Sequence, residues 1–170
     1  MNILLILTIF AFAFSTDLAS VKNLFSNKKY LDSNDLIQSL ISEDSTNASF
    51  YQMASKINLK LDDLSLANKN INKAIELDPS NEDYRKFWSD LNDMRSNLND
   101  AQKSFDNGFI DESINAYEKI VVQYPEFALA YYNFGLMYYR TEDFDKAVDN
   151  FKKALIYIQT MTNTSNLFQI

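Results

Sequence analysis

Residues 74–81 read AIELDPSN, an apolar-charged helical ending followed by Asp-Pro-Ser-Asn. Pro79 lacks a backbone donor and biases Asp78 out of helical geometry, so a helix stops there and a turn begins. Whether that ending occurs once or closes a repeated unit decides the fold, and sliding the chain against itself answers the question. From Ala128, a 34-residue window places Tyr131, Phe134, Gly135 and Tyr138 at positions 4, 7, 8 and 11, and Ala147, Phe151 and Ala154 at 20, 24 and 27. From Ala48, Tyr51, Ala54 and Ser55 take positions 4, 7 and 8, Ala67, Ile71 and Ala74 take 20, 24 and 27, and Pro79 takes 32. From Met94, Ala101 falls at 8, Gly108 at 15, Ser113 at 20, Tyr117 at 24, Ile120 at 27 and Pro125 at 32. A weaker window over 14–47 has Val21 at 8, Tyr30 at 17, Ser33 at 20, Ile37 at 24 and Leu40 at 27. AIELDPSN is thus the close of one unit, and Ile120 to Glu126 is its divergent echo.

Apolar residues at positions 4, 7 and 11 make one stripe along a first helix, and those at 20, 24 and 27 make another along a second. Small residues at 8 and 20 let the two helices cross closely, and Gly108, just after Asp106-Asn107, suits the left-handed residue that ends a helix. These spacings resemble the tetratricopeptide repeat family over nearly all of the chain after its first residues. The resemblance implies an all-α solenoid of antiparallel helix pairs wound as a right-handed superhelix, with the first helices lining its concave side. Units fall at about 14–47, 48–81, 94–127 and 128–161, so the array covers 16–161, with 162–170 as a C-terminal tail.

Pro79 and Pro125 are 46 residues apart rather than 34, which leaves a twelve-residue insert, 82–93. Tyr84, Phe87, Trp88 and Leu91 recur there at helical spacing, predicting one long helix from about Asn81 to Asp106, with Trp88 buried against the neighbouring unit. In the third unit Asn97, Asp100 and Ser104 occupy the normally apolar positions 4, 7 and 11, which predicts a shifted packing register.

Composition narrows the chemistry. The 170 residues are 46% apolar, with only two Gly and two Pro, too few turn formers for a many-stranded β fold. There is no His and no Cys, so thiolate and imidazole catalysis and zinc sites of the usual kind are excluded. Scattered acids such as Asp143 and Asp145 mark no general acid and base pair, so no catalytic residue, metal or cofactor is expected. A formal net charge of −7 argues against a phosphate-neutralising surface and hence against nucleic acid as a partner.

Ile3 to Phe14 is an uncharged run of signal-peptide length, too short to span a bilayer of about 30 Å, with small residues at Ala13 and Ser15 for cleavage. Residues 1–15 are read as a signal peptide, leaving no membrane span after cleavage. Entry into the secretory route, as an endoplasmic reticulum lumenal or secreted protein, makes Asn47-Ala48-Ser49 and Asn163-Thr164-Ser165 candidate glycan acceptors at Asn47 and Asn163.

In the repeat family, position 12 of each unit looks into the concave groove, which implies Phe25, Leu59, Phe105 and Tyr139 here. Other groove positions of the last unit add Leu129, Tyr132, Asn133, Leu136 and Arg140. The implied groove is apolar and aromatic with one cation at its edge, which suits a protein or peptide partner. Carrying over the family's carboxylate clamp gives Gln52, Lys56, Asn99, Leu129 and Asn133, too few cations to hold a free carboxylate. Signal sequence, repeats and an interrupting long helix together resemble the repeat portion of lumenal J-domain co-chaperones. These residues hold no His-Pro-Asp motif, since they include no histidine, so the resemblance implies either the substrate-holding part alone or a fragment of a longer chain. Two roles follow: a co-chaperone-like module of the secretory pathway that binds polypeptide segments, or a scaffold subunit whose apolar C-terminal end completes a larger assembly or homodimer.

Overall fold

The computed structural model describes residues 18–162. Eight helices follow one another, α1 (18–26), α2 (Tyr30–Glu43), α3 (Ala48–Lys60), α4 (Leu64–Leu77), α5 (Glu82–Asp106), α6 (Ile110–Gln123), α7 (Ala128–Arg140) and α8 (Phe144–Thr162), with no strand among the described residues. They pair as four antiparallel hairpins. Residues 1–15 and Asn163 lie outside the described residues.

One turn is used four times. The amides of Lys29, Asp63, Phe109 and Asp143 donate to the carbonyls of Leu24, Asn58, Ser104 and Tyr138, while those of Lys28, Asp62, Gly108 and Glu142 donate to Phe25, Leu59, Phe105 and Tyr139. Those two bonds define the Schellman ending of a helix, which requires a left-handed residue. Position 15 supplies it in every unit: Lys28 at φ 58°, Asp62 at 57°, Gly108 at 82° and Glu142 at 64°. Only Gly108 adopts that conformation without steric cost.

Within each hairpin the two helices are fastened at positions 8 and 20. The buried Ser33 hydroxyl donates to the Val21 carbonyl at 3.1 Å, Ser55 to Ala67 at 2.6 Å, and Ser113 to Ala101. The fourth hairpin has no serine there. Instead Gly135 faces Ala147, and a Cβ on Gly135 would lie 2.6 Å from the Phe151 ring and 3.2 Å from the Ala147 carbonyl oxygen. The expectation of close crossing at these positions is met by two means: a hydrogen bond across the gap, or no side chain within it.

The insert and the first helix of the third unit form one 25-residue rod, α5, capped by Asn81, whose side chain accepts from the amides of Asp83 and Tyr84. Its inward residues are Tyr84, Phe87, Leu91, Met94, Leu98, Ala101 and Phe105, a strict alternation of three- and four-residue steps. The first three pack with Ala67, Ile71 and Ala74 of α4, whereas the last four join Tyr117 and Ile120 of α6 and Phe134 of α7. One helix therefore serves two cores. Trp88 is one step off this seam and is 41% exposed, contrary to the burial expected of it. Asn97, Asp100 and Ser104 are likewise off the seam, and the apolar Leu98, Ala101 and Phe105 replace them inward, which is the register shift that their polarity predicts.

The first and last units meet. Tyr30 at the start of α2 is buried with Ala128 of α7 and Met161 of α8, and Phe25, Leu61 and Tyr157 pack around them. Glu126, in the turn before α7, accepts from Lys28 at 2.9 Å and from Lys60 at 2.6 Å.

Candidate interaction surface

The α7 N-terminus shows how the site is held. Phe127, its N-cap residue, makes no side-chain cap bond; its carbonyl accepts from the Ala130 amide at 3.2 Å, and no side chain of its own turn caps the Leu129 amide. Asp62, in the α3–α4 turn, supplies one from a distance of 67 residues, its Oδ2 accepting from the Leu129 amide at 3.0 Å. Burial pushes the Asp62 carboxyl up to about 6, even though the Leu129 and Ala128 amides and nearby Lys60 favour its ionised form. At Glu126 the balance is reversed. Hydrogen bonds from Lys60 and Lys28 hold its carboxyl down at about 2 against a smaller cost of burial.

Beside this junction lies a cleft of about 470 Å³ lined by Leu31 of α2, Leu61 and Asp62 of the α3–α4 turn, Ala128, Leu129 and Tyr132 of α7, and Ile158, Met161 and Thr162 of α8. Its walls are predominantly apolar. Leu31, Leu129, Tyr132 and Ile158 are each more than 40% exposed, and Asp62 is the single ionisable carboxylate among the lining residues. A smaller pocket, about 230 Å³, is lined by the Lys60–Glu126 pair with Leu59, Met94, Tyr124 and Phe127.

From Tyr132 the apolar surface continues along the last hairpin. The Tyr132 ring lies 5.8 Å from that of Phe151, and Tyr139 meets Phe144 edge-on at 5.8 Å, so α7 and α8 present one shared face. Phe144, Val148, Phe151, Leu155 and Ile158 recur at steps of three and four on its α8 side, and all but Phe151 are exposed.

The groove residues expected from the sequence divide into three groups. Leu129 and Tyr132 line the cleft, and Tyr139 stands on the open face with half-buried Leu136 nearby in sequence. Phe25 is half-buried and meets Tyr30 edge-on at 5.4 Å, Leu59 packs between two cores, and Phe105 packs under the Arg140 guanidinium at 4.9 Å, so these three are engaged in internal packing. Asn133 is half-buried beside the Tyr117 hydroxyl. Asn47 is the N-cap of α3, its Oδ1 accepting from the Ser49 amide and hydroxyl, which leaves the amide nitrogen outside the cap. Leu31, Asp62, Ile158 and Met161 were not foreseen, because nothing in the repeat pattern brings the first unit against the last.

No helix among the described residues is long and apolar enough to cross a membrane. Residues 128–159, the α7–α8 hairpin, and residues 48–81, the α3–α4 hairpin, each match the tetratricopeptide repeat family. No curated protein matches the chain. Among solved structures it is similar to a crystal structure of MamA, at 25% identity over 88% of this chain and 81% of that one, with a TM-score of 0.40. It is also similar to MamA 41-end from Desulfovibrio magneticus RS-1, at 11% identity over 90% and 97%, TM-score 0.44. A third similar structure is YrrB, a tetratricopeptide protein with an unusual peptide-binding site, at 21% identity over 85% and 69%, TM-score 0.38.

Proposed function

We propose that this all-α solenoid of tetratricopeptide repeats is a protein-interaction module that holds extended apolar segments of other polypeptides in the cleft between α2, α7 and α8. The observation that carries this reading is the cleft itself: a concave, apolar space of about 470 Å³ whose exposed walls include Leu129, Tyr132 and Ile158. Space of that size takes two or three apolar side chains of an extended segment, with water excluded from both sides. With Asp62 the single carboxylate and no lysine or arginine among its lining residues, the cleft recognises apolar shape more than charge.

The setting we propose is the secretory pathway, in the endoplasmic reticulum lumen or outside the cell, in a co-chaperone-like role. Residues 1–15 and the Asn47 and Asn163 acceptor patterns support that placement.

Fluorescence anisotropy with a labelled, extended apolar peptide tests the binding role. Affinity on the order of 1–100 μM is expected, changing little with salt. Tyr132→Ala and Ile158→Ala weaken it about tenfold, while Arg140→Glu, at the edge of the open face, leaves it within about twofold. A larger loss from Arg140→Glu than from the cleft substitutions overturns the reading.

A further inference from the structure

We infer that the open face of the last hairpin is the interface of a two-fold dimer of this chain. The inference rests on the interaction-module reading and names an occupant for the apolar surface that continues from the cleft wall at Leu129, Tyr132 and Ile158 along the last hairpin. Seven large apolar residues, Leu129, Tyr132, Tyr139, Phe144, Val148, Leu155 and Ile158, are each between 42% and 58% exposed along α7 and α8. Together they leave on the order of 800 Å² uncovered, more than the largest apolar patch of an ordinary monomer and about what each partner gives to a standard interface.

Two observations select a second copy, arranged tail to tail. In a two-fold contact, residues near the axis meet their own copies, so a charged centre repels itself. Here the stripe of Phe144, Val148, Phe151, Leu155 and Ile158 is uncharged in a chain of net charge −7. Head-to-tail stacking, which would build a filament, needs an apolar receiving face on the first unit. Among the described residues, that unit exposes a single large apolar side chain, Leu31, which lies in the cleft, and α1 turns Lys22, Asn23 and Ser26 to solvent. Over the described residues, an array with one apolar end and one polar end closes on itself as a pair.

Sedimentation velocity of the full chain over about 1–100 μM tests this, reading mass against concentration. The expected result is a particle of twice the chain mass, with dimerisation weakened at least tenfold by Val148→Glu with Leu155→Glu, a pair of surface substitutions checked for folding by circular dichroism. Because the chain has no cysteine, Leu155→Cys adds a single thiol and provides a second reading. Bismaleimide cross-linking joins it to its own copy in the dimer, whereas Glu112→Cys, on exposed α6, gives no cross-link. A wild-type monomer throughout that range, a dimer undiminished in the double variant, or cross-linking at Glu112→Cys alone overturns the inference. Peptide binding in the cleft is measured on the same double variant. A monomeric double variant that still binds peptide separates this interface from the interaction role, and one that binds none, while the wild type dimerises, counts against the role alone.

Discussion

The Asp62 carboxylate sits across the start of α7, its Oδ2 3.0 Å from the amide nitrogen of Leu129, so one helix is capped by the turn of another hairpin 67 residues earlier. An N-cap acceptor contributes about 1 kcal/mol. Here the contribution comes with a carboxylate whose ionisation the fold opposes.

That opposition gives a pH profile. Asp62 binds its proton more tightly folded, at about 6 against an ordinary 3.8, so its ionisation costs stability as pH rises through that window. Asp62→Asn keeps an acceptor and tolerates the φ of 57°. Urea unfolding at several pH values between about 4.5 and 6.5 should lose this downward slope in the variant. A slope that survives the substitution assigns it to another group.

Glu126 acts in the opposite sense. Its folded value of about 2 lies below an ordinary 4.5, so its contribution is complete above 4.5 and is lost as pH falls toward 2. Glu126→Gln should lower stability by up to about 1 kcal/mol near neutral pH, because the lysines are partly exposed, and the loss should shrink in strong salt. Thermal unfolding at pH 7, 3 and 2 checks it: the two proteins differ at the first, the gap narrows at the second and closes at the third.

Glu142 occupies a left-handed turn position at φ 64° without the seam contact that Lys28 and Asp62 make at theirs. Glu142→Gly should therefore stabilise by about 1 kcal/mol, whereas Lys28→Gly relieves the same strain but gives up the Glu126 ion pair and gains less. Chemical denaturation of the two variants gives the comparison.

Gly135→Ala should cost about 1–3 kcal/mol, since the added methyl meets the Phe151 ring at 2.6 Å. A double variant with Phe151→Leu should recover part of that loss, because the clash is pairwise. Ser55→Ala, which removes the 2.6 Å hydrogen bond to Ala67, should cost about 1 kcal/mol in the same assay.

What could be read in advance follows the repeat. Pro79 and Pro125 place two unit endings, and the small residues at positions 8 and 20 mark the helix crossings. The apolar steps from Tyr84 onward mark α5, because each of these signals lies within one hairpin. Trp88 misled because Phe87 and Trp88 are adjacent, and a single sequence does not say which neighbour the seam takes. The cleft was only half legible. Leu129 and Tyr132 belong to a repeat position, but Leu31, Asp62 and Ile158 join them through contacts between units that are not neighbours in sequence, and periodicity carries no trace of those. Lys28 and Asp62 gave one missed hint: a charged residue where the same turn elsewhere uses Gly108.

The meeting of Tyr30 with Ala128 and Met161 alters how the chain comes apart. A solenoid whose repeats touch only their neighbours behaves as a linear chain of coupled units and frays from either end. Joining first to last makes that chain cyclic, so neither terminal hairpin is free to melt alone. It also adds contacts across 67 and 98 residues that must await the whole array, which slows folding relative to an open row of hairpins. Cooperativity here is a property of the circuit, and loosening the Glu126 and Asp62 contacts would return the protein to piecemeal unfolding.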